Sequence, residues 1–216
     1  MIWSWDFALS TIPALLRGFV VTLEATVMGS IMAMVLGLAF ALLRRSSLAV
    51  VRLPTGWFIE FVRSTPLLVQ LYFVFYVLPQ FGITLSGLVT GVLVLGIHYA
   101  TYTAEVYRAG IDGVPPGQWE AATALSLPAG RKWRDIILPQ AIRNVLPALG
   151  NYVISMFKET PYLALITVPE MVEVAREIGN DTFQYVEPFT IAGLIFLAAS
   201  YPAAVLMRRL EIRLGH

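Results

Sequence analysis

Three groups of residues place ionisable or polar chemistry inside or beside apolar sequence. Lys158-Glu159-Thr160 interrupts the apolar stretch 145–168, next to Pro161. Two opposite charges beside a proline imply a locally open helix, as at a transport path; a proline-broken span is tolerated where neighbours or water satisfy the freed backbone. The alternative places the pair at the membrane interface, with the lysine reaching for the headgroups. His98, Thr101, Tyr102 and Glu105 recur at i, i+3, i+4 and i+7, so they share one helical face. Such a stripe within a span is costly unless it meets a cavity or a partner. It reads either as part of a path or as a packing network, with Glu105 on Arg108 and His98 on a backbone carbonyl. Gln70 and Glu24 read as hydrogen-bond partners between helices, and Gln70 is also a candidate for the path. Glu60 and Arg63, at i and i+3 with Thr65-Pro66 following, read as a helix entry with a local ion pair; a contact with a partner subunit is the alternative for Arg63.

The third group is the stretch 120–151, the longest polar interruption in the chain. It carries Arg131, Lys132, Arg134 and Arg143, four of the fifteen basic residues. Glu120-Ala121-Ala122 opens it in helical sequence, 126–130 breaks it, and a second amphipathic piece follows, with Trp133, Ile136 and Ile137 apolar. Pro139 restarts the chain into the next apolar segment. Two short helices joined by a turn outside a membrane span make a docking shape. The plainer reading is a basic loop that only fixes orientation.

The elements that position these residues follow from composition. The chain has 216 residues, 57% hydrophobic and 13% charged. Soluble domains carry about 25% charged residues, so the protein is read as all-α and membrane-embedded. A net charge of +1 gives no indication of a nucleic-acid partner. There is no cysteine, and His98 and His216 do not make a metal or nucleophilic cluster, so no enzyme chemistry and no cofactor is expected in the chain. The first residues include Asp6 and no basic residue, unlike a secretory signal.

A span needs about 20 apolar residues. Positions 19–43 supply one, with Gly29 and Gly37 allowing close helix contact. Residues 64–104 are 41 positions without a charge. One helix of that length would measure about 60 Å, twice the hydrocarbon thickness, so a hairpin turning at 79–84 is expected. The expected layout is an external or interfacial segment at 1–17 and a membrane domain at 18–210. Its spans fall at about 19–43, 57–78, 86–111, 140–167 and 189–207. A cytoplasmic connection occupies 112–139, and an external amphipathic helix occupies 169–182, with Met171, Val174, Ala175 and Ile178 on its apolar face. Arg44, Arg45, Arg52, Arg131, Lys132, Arg134, Arg143, Arg208, Arg209 and Arg213 fall on one side of this layout. By the positive-inside rule that side is cytoplasmic, the amino terminus is outside and the carboxyl terminus inside.

The stretch 120–151 resembles the EAA loop of ATP-binding-cassette importer permeases through Glu120-Ala121-Ala122, Ile136 or Ile137, Leu138, Pro139 and Ala141. One departure is Ser126, where the family has glycine; glycine suits a left-handed turn that serine tolerates poorly. The segments 63–70, 104–111 and 114–120 are similar to the polar-amino-acid (histidine, glutamine, arginine) branch, and within it to permeases assigned to ectoine and hydroxyectoine uptake.

The resemblance implies the five-span, amino-out type I importer fold. It also implies two permease chains, identical or related, an ATPase dimer, and a solute-binding protein outside. Glu120, Ala121, Ala122, Ser126, Arg131, Arg134, Leu138 and Pro139 would carry coupling to the ATPase. No G-x-x-x-x-G-K-[ST] phosphate loop is present, so ATP is expected on the partner subunit. Against a zwitterionic substrate, Glu159 would face the cationic group and backbone N–H groups near the break the carboxylate. A stand-alone secondary transporter or channel is the competing reading. It would need ion-coupling carboxylates and a whole pathway in one chain.

Overall fold

The computed structural model describes residues 3–214, and all regular elements among them are helical. Met1 and Ile2 of the expected first segment, and His216, lie outside the described residues. Helix α1 (Trp5–Arg44) opens where the Ser4 hydroxyl accepts the Phe7 N–H at 3.3 Å, a side-chain N-cap. At 40 residues it is about 60 Å long. It runs unbroken through the boundary expected near residue 17, so residues 5–17 and the run 19–43 form one helix. The cause is continuity of the buried face: Ala8, Thr11 and Leu15 pack as Gly18, Thr22 and Ala25 do about three turns later.

The two faces of α1 invert the pattern of a soluble helix. Its interior face is small: Gly29, Ser30, Ala33, Gly37 and Ala41 are buried. Its exterior carries Leu16, Val20, Leu23, Val27, Ile31, Val35, Leu38 and Leu42, all exposed. Large apolar groups outside and small ones inside suit a lipid solvent, where close backbone approach holds helices together. Helix α4 (Gly87–Asp112) packs most extensively against α1. A Cβ added at Gly37 would collide with Thr103 Oγ1, whose hydroxyl donates to the Ala33 carbonyl at 2.8 Å. Glu24 is exposed on the outer face of α1, not bonded between helices as expected.

The expected second span is broken. Helix α2 (Ala49–Arg63) ends at Ser64, and α3 (Leu67–Tyr72) sets off after a bend of 102°. Pro66 has no N–H and disfavours helical Thr65, so the ladder stops there. Helix α3 continues through a π-turn (Phe73–Val77) and a 3-10 turn (Leu78–Phe81) to Gly82 at φ 80, which places the turn where expected.

After α4 come α5 (Pro116–Ala124), α6 (Ala129–Arg131), a π-turn (Lys132–Ile137) and α7 (Leu138–Glu159). Helix α7 begins at Leu138 with Pro139 in its first turn, as the sequence suggests. The π-turn joins it to α6, and the Leu138 N–H reaches Trp133 O, five residues back. A wider turn accommodates a proline that would crowd the carbonyl four residues earlier. A 3-10 turn (Thr160–Ile166) follows α7, then α8 (Met171–Thr182) and α9 (Val186–Leu214).

Among the described residues α1, α4 and α9 are long and apolar enough to cross a membrane, and the bent pair α2 and α3 would make a fourth. The remaining expected span falls on α7, which carries Arg143, Asn144, Asn151, Lys158 and Glu159. That helix packs on α1, α4 and α9.

Candidate functional site

The bend between α2 and α3 opens a cleft of about 450 Å³. Arg63, Ser64, Thr65 and Pro66 form one wall, His98 and Tyr102 of α4 the floor, and Glu159 and Tyr162 the other wall. The Arg63 guanidinium lies 5.1 Å from the Tyr102 ring centroid, a cation–π distance. Glu159 accepts from the Tyr99 hydroxyl through Oε2 at 2.8 Å. Neither Arg63 nor Glu159 has an ion-pair partner among the described residues. A cation and an anion therefore border one aromatic cleft, each held by protein but unpaired. Gln70 supports this geometry from behind. Its amide donates to Val62 O at 2.7 Å, Thr65 O at 3.1 Å and Thr65 Oγ1 at 2.7 Å, while its oxygen meets His98 Nδ1 at 3.1 Å. It ties the two sides of the bend to α4.

The other expected path residues lie elsewhere. Lys158 is exposed and points away from Glu159, as neighbouring helical positions do. Thr160 is fully buried, its hydroxyl donating to Phe157 O at 2.7 Å. Thr101 is likewise buried on His98 O at 2.6 Å. Glu105 leaves the stripe for an ion-pair network with Arg44 and Arg108 at the far end of α4. Of the four-residue stripe, His98 and Tyr102 reach the cleft. Arg63 does not pair with Glu60, contrary to the spacing, because the helix ends there and frees its side chain. Tyr99, Tyr152 and Tyr162 were not expected near the site. Rings of Tyr99 and Tyr102 stand 5.9 and 5.8 Å from Tyr152. The i, i+3 relation of Tyr99 to Tyr102 was the available signal.

The polar connection folds into an elbow. In α5 the side chain of Ala122 is fully buried, while Glu120 and Ala121 are exposed. Glu120 sits inside α5, not at its start, because Pro116 begins the helix. Trp119 meets Trp133 edge-on at 5.3 Å over a small core of Ile111, Val114, Ile137 and Ala141. Lys132 Nζ donates to Thr123 Oγ1 at 2.9 Å. Arg131, Arg134, Leu138 and Pro139 are exposed. Ser126 adopts φ 49, the left-handed conformation of the glycine it replaces. The Ser126 N–H donates to Thr123 O at 2.9 Å and the Leu127 N–H to Ala122 O at 3.1 Å. This is the paired bonding that closes a helix at a left-handed residue. The turn is therefore kept despite the substitution, with the strain carried by Ser126.

The inner-membrane component of binding-protein-dependent transport systems matches residues 26–216. The chain belongs to that family. It is 44% identical to a probable amino-acid ABC transporter permease of Sinorhizobium fredii, over 98% of this chain and 94% of that one. It is 36% identical to an arginine transport system permease of Bacillus subtilis, over 86% and 85%. The crystal structure of an amino acid ABC transporter with histidines superposes with a TM-score of 0.93 at 35% identity, covering 99% and 100%. An inward-facing methionine ABC transporter shares the fold at TM-score 0.75 and 18% identity, over 94% and 97%. The protein is thus an all-helical ABC permease subunit of type I fold, a transport component and not an enzyme.

A further polar surface is offered by α8. Its expected apolar face is in place: Met171 and Ala175 are fully buried, with Val174 and Ile178 packed beside them. Its acids are not all outward, however. Glu170 is fully buried as the N-cap, accepting the N–H groups of Val172 at 2.9 Å and Glu173 at 2.7 Å. Burial pushes its carboxyl up to about 7 against the opposing pull of those bonds. Glu173 is buried beside Arg176, and Glu187 accepts the Ser4 N–H at 3.1 Å. Glu177 and Asp181 remain exposed.

Proposed function

We propose that this chain is the membrane subunit of an importer for zwitterionic polar amino acids, with Arg63 and Glu159 reading the two charges of the substrate. The observation that carries the proposal is the unpaired cation and anion bordering one cleft at a broken helix. A substrate carboxylate fits the guanidinium, which binds planar anions through paired N–H groups. The α-ammonium fits Glu159, whose orientation is fixed by Tyr99. Tyr102 and His98 offer flat faces to the side chain. The family's amino-acid, arginine and histidine-bearing relatives support this class. Ectoine, with a carboxylate and a delocalised amidinium, carries the same two charges and belongs to the class by that chemistry.

Five spans, an external amino terminus and a cytoplasmic elbow complete the proposal. The bent pair α2 and α3 crosses once around the cleft, and polar α7 crosses within the bundle, shielded by α1, α4 and α9. The exposed part of the elbow, from Glu120 to Pro139, contacts an ATPase dimer. A second permease chain, the same or a sister, completes the path. Glu177 and Asp181 of α8 face the solute-binding protein outside.

The test is uptake into proteoliposomes holding the permease, its ATPase and its binding protein. Replacing one charge that contacts an ionic group costs about 2 kcal/mol, roughly thirtyfold. Glu159→Gln and Arg63→Gln should each lower uptake by about that factor, with the complex still assembled. Uptake unchanged in both variants overturns the site. Uptake by the permease with no ATPase present would instead favour a stand-alone transporter.

A further inference from the structure

At the end of α4 opposite the cleft, five charged side chains form one ladder. Arg44 Nη1 bonds Glu105 Oε1. Arg108 Nε meets Glu105 Oε2 at 2.8 Å, and Arg108 Nη1 meets Asp112 Oδ2 at 3.0 Å. Arg45 Nη1 meets Asp112 Oδ1 at 2.6 Å. Each carboxylate thus holds one arginine of its own helix and one from the end of α1. Asp112 is the last residue of α4, and Arg45 caps α1. Both also line a cleft of about 440 Å³ whose far wall is Pro116, Trp119 and Glu120 of α5.

Partly exposed ion pairs of this kind contribute little to stability. The α1–α4 contact also has its own support in small buried residues from Ala33 to Ala41. The ladder is therefore not what holds the two helices together. It fixes the ends of both helices at the point where the elbow departs, across only Gly113, Val114 and Pro115. Helix α5 is joined to α4 by that short link and by its own small core. Without a fixed end, a push on α5 would bend the link instead of moving α4.

We propose that Arg45 and Asp112, with Arg44, Glu105 and Arg108 behind them, are positioning residues that transmit elbow motion into the α1–α4 pair. The clasp makes the ends of α1 and α4 one lever. Through α4 that lever reaches His98 and Tyr102 in the cleft. Glu105 belongs to this lever and does not face the path. The proposal rests on the elbow being the ATPase contact.

The experiment measures substrate imported per ATP hydrolysed in proteoliposomes with ATPase and binding protein. It compares the unsubstituted permease, Asp112→Asn, Arg45→Gln and the exchanged pair Arg45→Asp with Asp112→Arg. The single variants should assemble with the ATPase and hydrolyse ATP while import per ATP falls about fivefold or more. The substrate concentration for half-maximal uptake should stay unchanged. The exchanged pair restores the contact between positions 45 and 112 but gives up the Arg108 contact, so it should recover part of the lost coupling and exceed both single variants. Single variants with full import per ATP overturn the clasp, as does loss of assembly without recovery in the exchanged pair, which marks a merely structural role. If the unsubstituted permease neither binds the ATPase nor imports, the elbow reading itself fails and takes the clasp with it.

Discussion

At the residue scale, two positions hold energy that a single substitution should release. Ser126 keeps a left-handed φ of 49 that a side chain resists. Ser126→Gly removes that penalty, about 1 kcal/mol, and touches no buried contact. It should raise the melting temperature by about 2–4 °C with uptake unchanged, read by thermal unfolding in detergent. Glu170 is the second position. Its carboxyl lies above the ordinary carboxylate range, at about 7, because burial penalises the charge more than two N–H groups and Thr22 relieve it, with Glu173 adding repulsion. A raised folded value means the protonated form is favoured by folding, so its contribution is complete below the unfolded value. It is lost as pH rises through about 7. Amide exchange in α8 should therefore quicken as pH rises through this window, beyond the intrinsic chemical increase. Glu170→Gln should remove that excess. An excess of the same size in the variant would assign it to another group.

At the scale of elements, the α1–α4 contact depends on absent side chains. Gly37→Leu forces a branched group into Thr103 Oγ1 and the Ala100 carbonyl. Overpacking of this sort costs about 1–3 kcal/mol, and more where backbone is struck. The variant should lose its monodisperse peak in size-exclusion chromatography, whereas Gly130→Leu, with open space around it, should keep it. Gly29 and Gly37 announced this contact in the sequence, and α4 lay where an uncharged run placed it. The elbow was legible too, since charge density against apolar flanks marks it. What escaped is where local signals yield to packing. The boundary expected near residue 17 left no break in α1, because the buried face ran on past it. Pro139 did open α7, but the π-turn that joins this helix to α6 left no mark in the sequence. Thr65-Pro66, within an apolar run, hid a bend that hydropathy alone cannot express. The cleft depends on that bend. Glu159 was visible as an oddity, but its partner across the cleft, Arg63, was assigned by spacing to Glu60. Helical spacing holds only while the helix does. In α8, Glu170 and Glu173 are buried, because a carboxylate capping a helix or bonding an arginine can leave water.

At the scale of the whole molecule, charge is arranged at two ends with the cleft between. One end carries the clasp and the elbow, the other α8 with Glu177 and Asp181 exposed. In the proposed assembly the second end meets the binding protein. Glu177→Lys with Asp181→Lys should then weaken stimulation of ATP hydrolysis by that loaded protein several-fold, an electrostatic effect on encounter. Basal hydrolysis should not change. Equal stimulation would move the docking surface elsewhere.

The arrangement of the two ends across the bilayer is tested most directly by cysteine labelling. The chain has no cysteine of its own, so single cysteines at Gly117 and Glu177, both exposed, report cleanly. A membrane-impermeant maleimide should label Gly117→Cys only from the cytoplasmic face and Glu177→Cys only from outside, and a short cross-linker should join position 117 to the ATPase subunit. Labelling of both from one face, or the reverse pattern, would contradict the account.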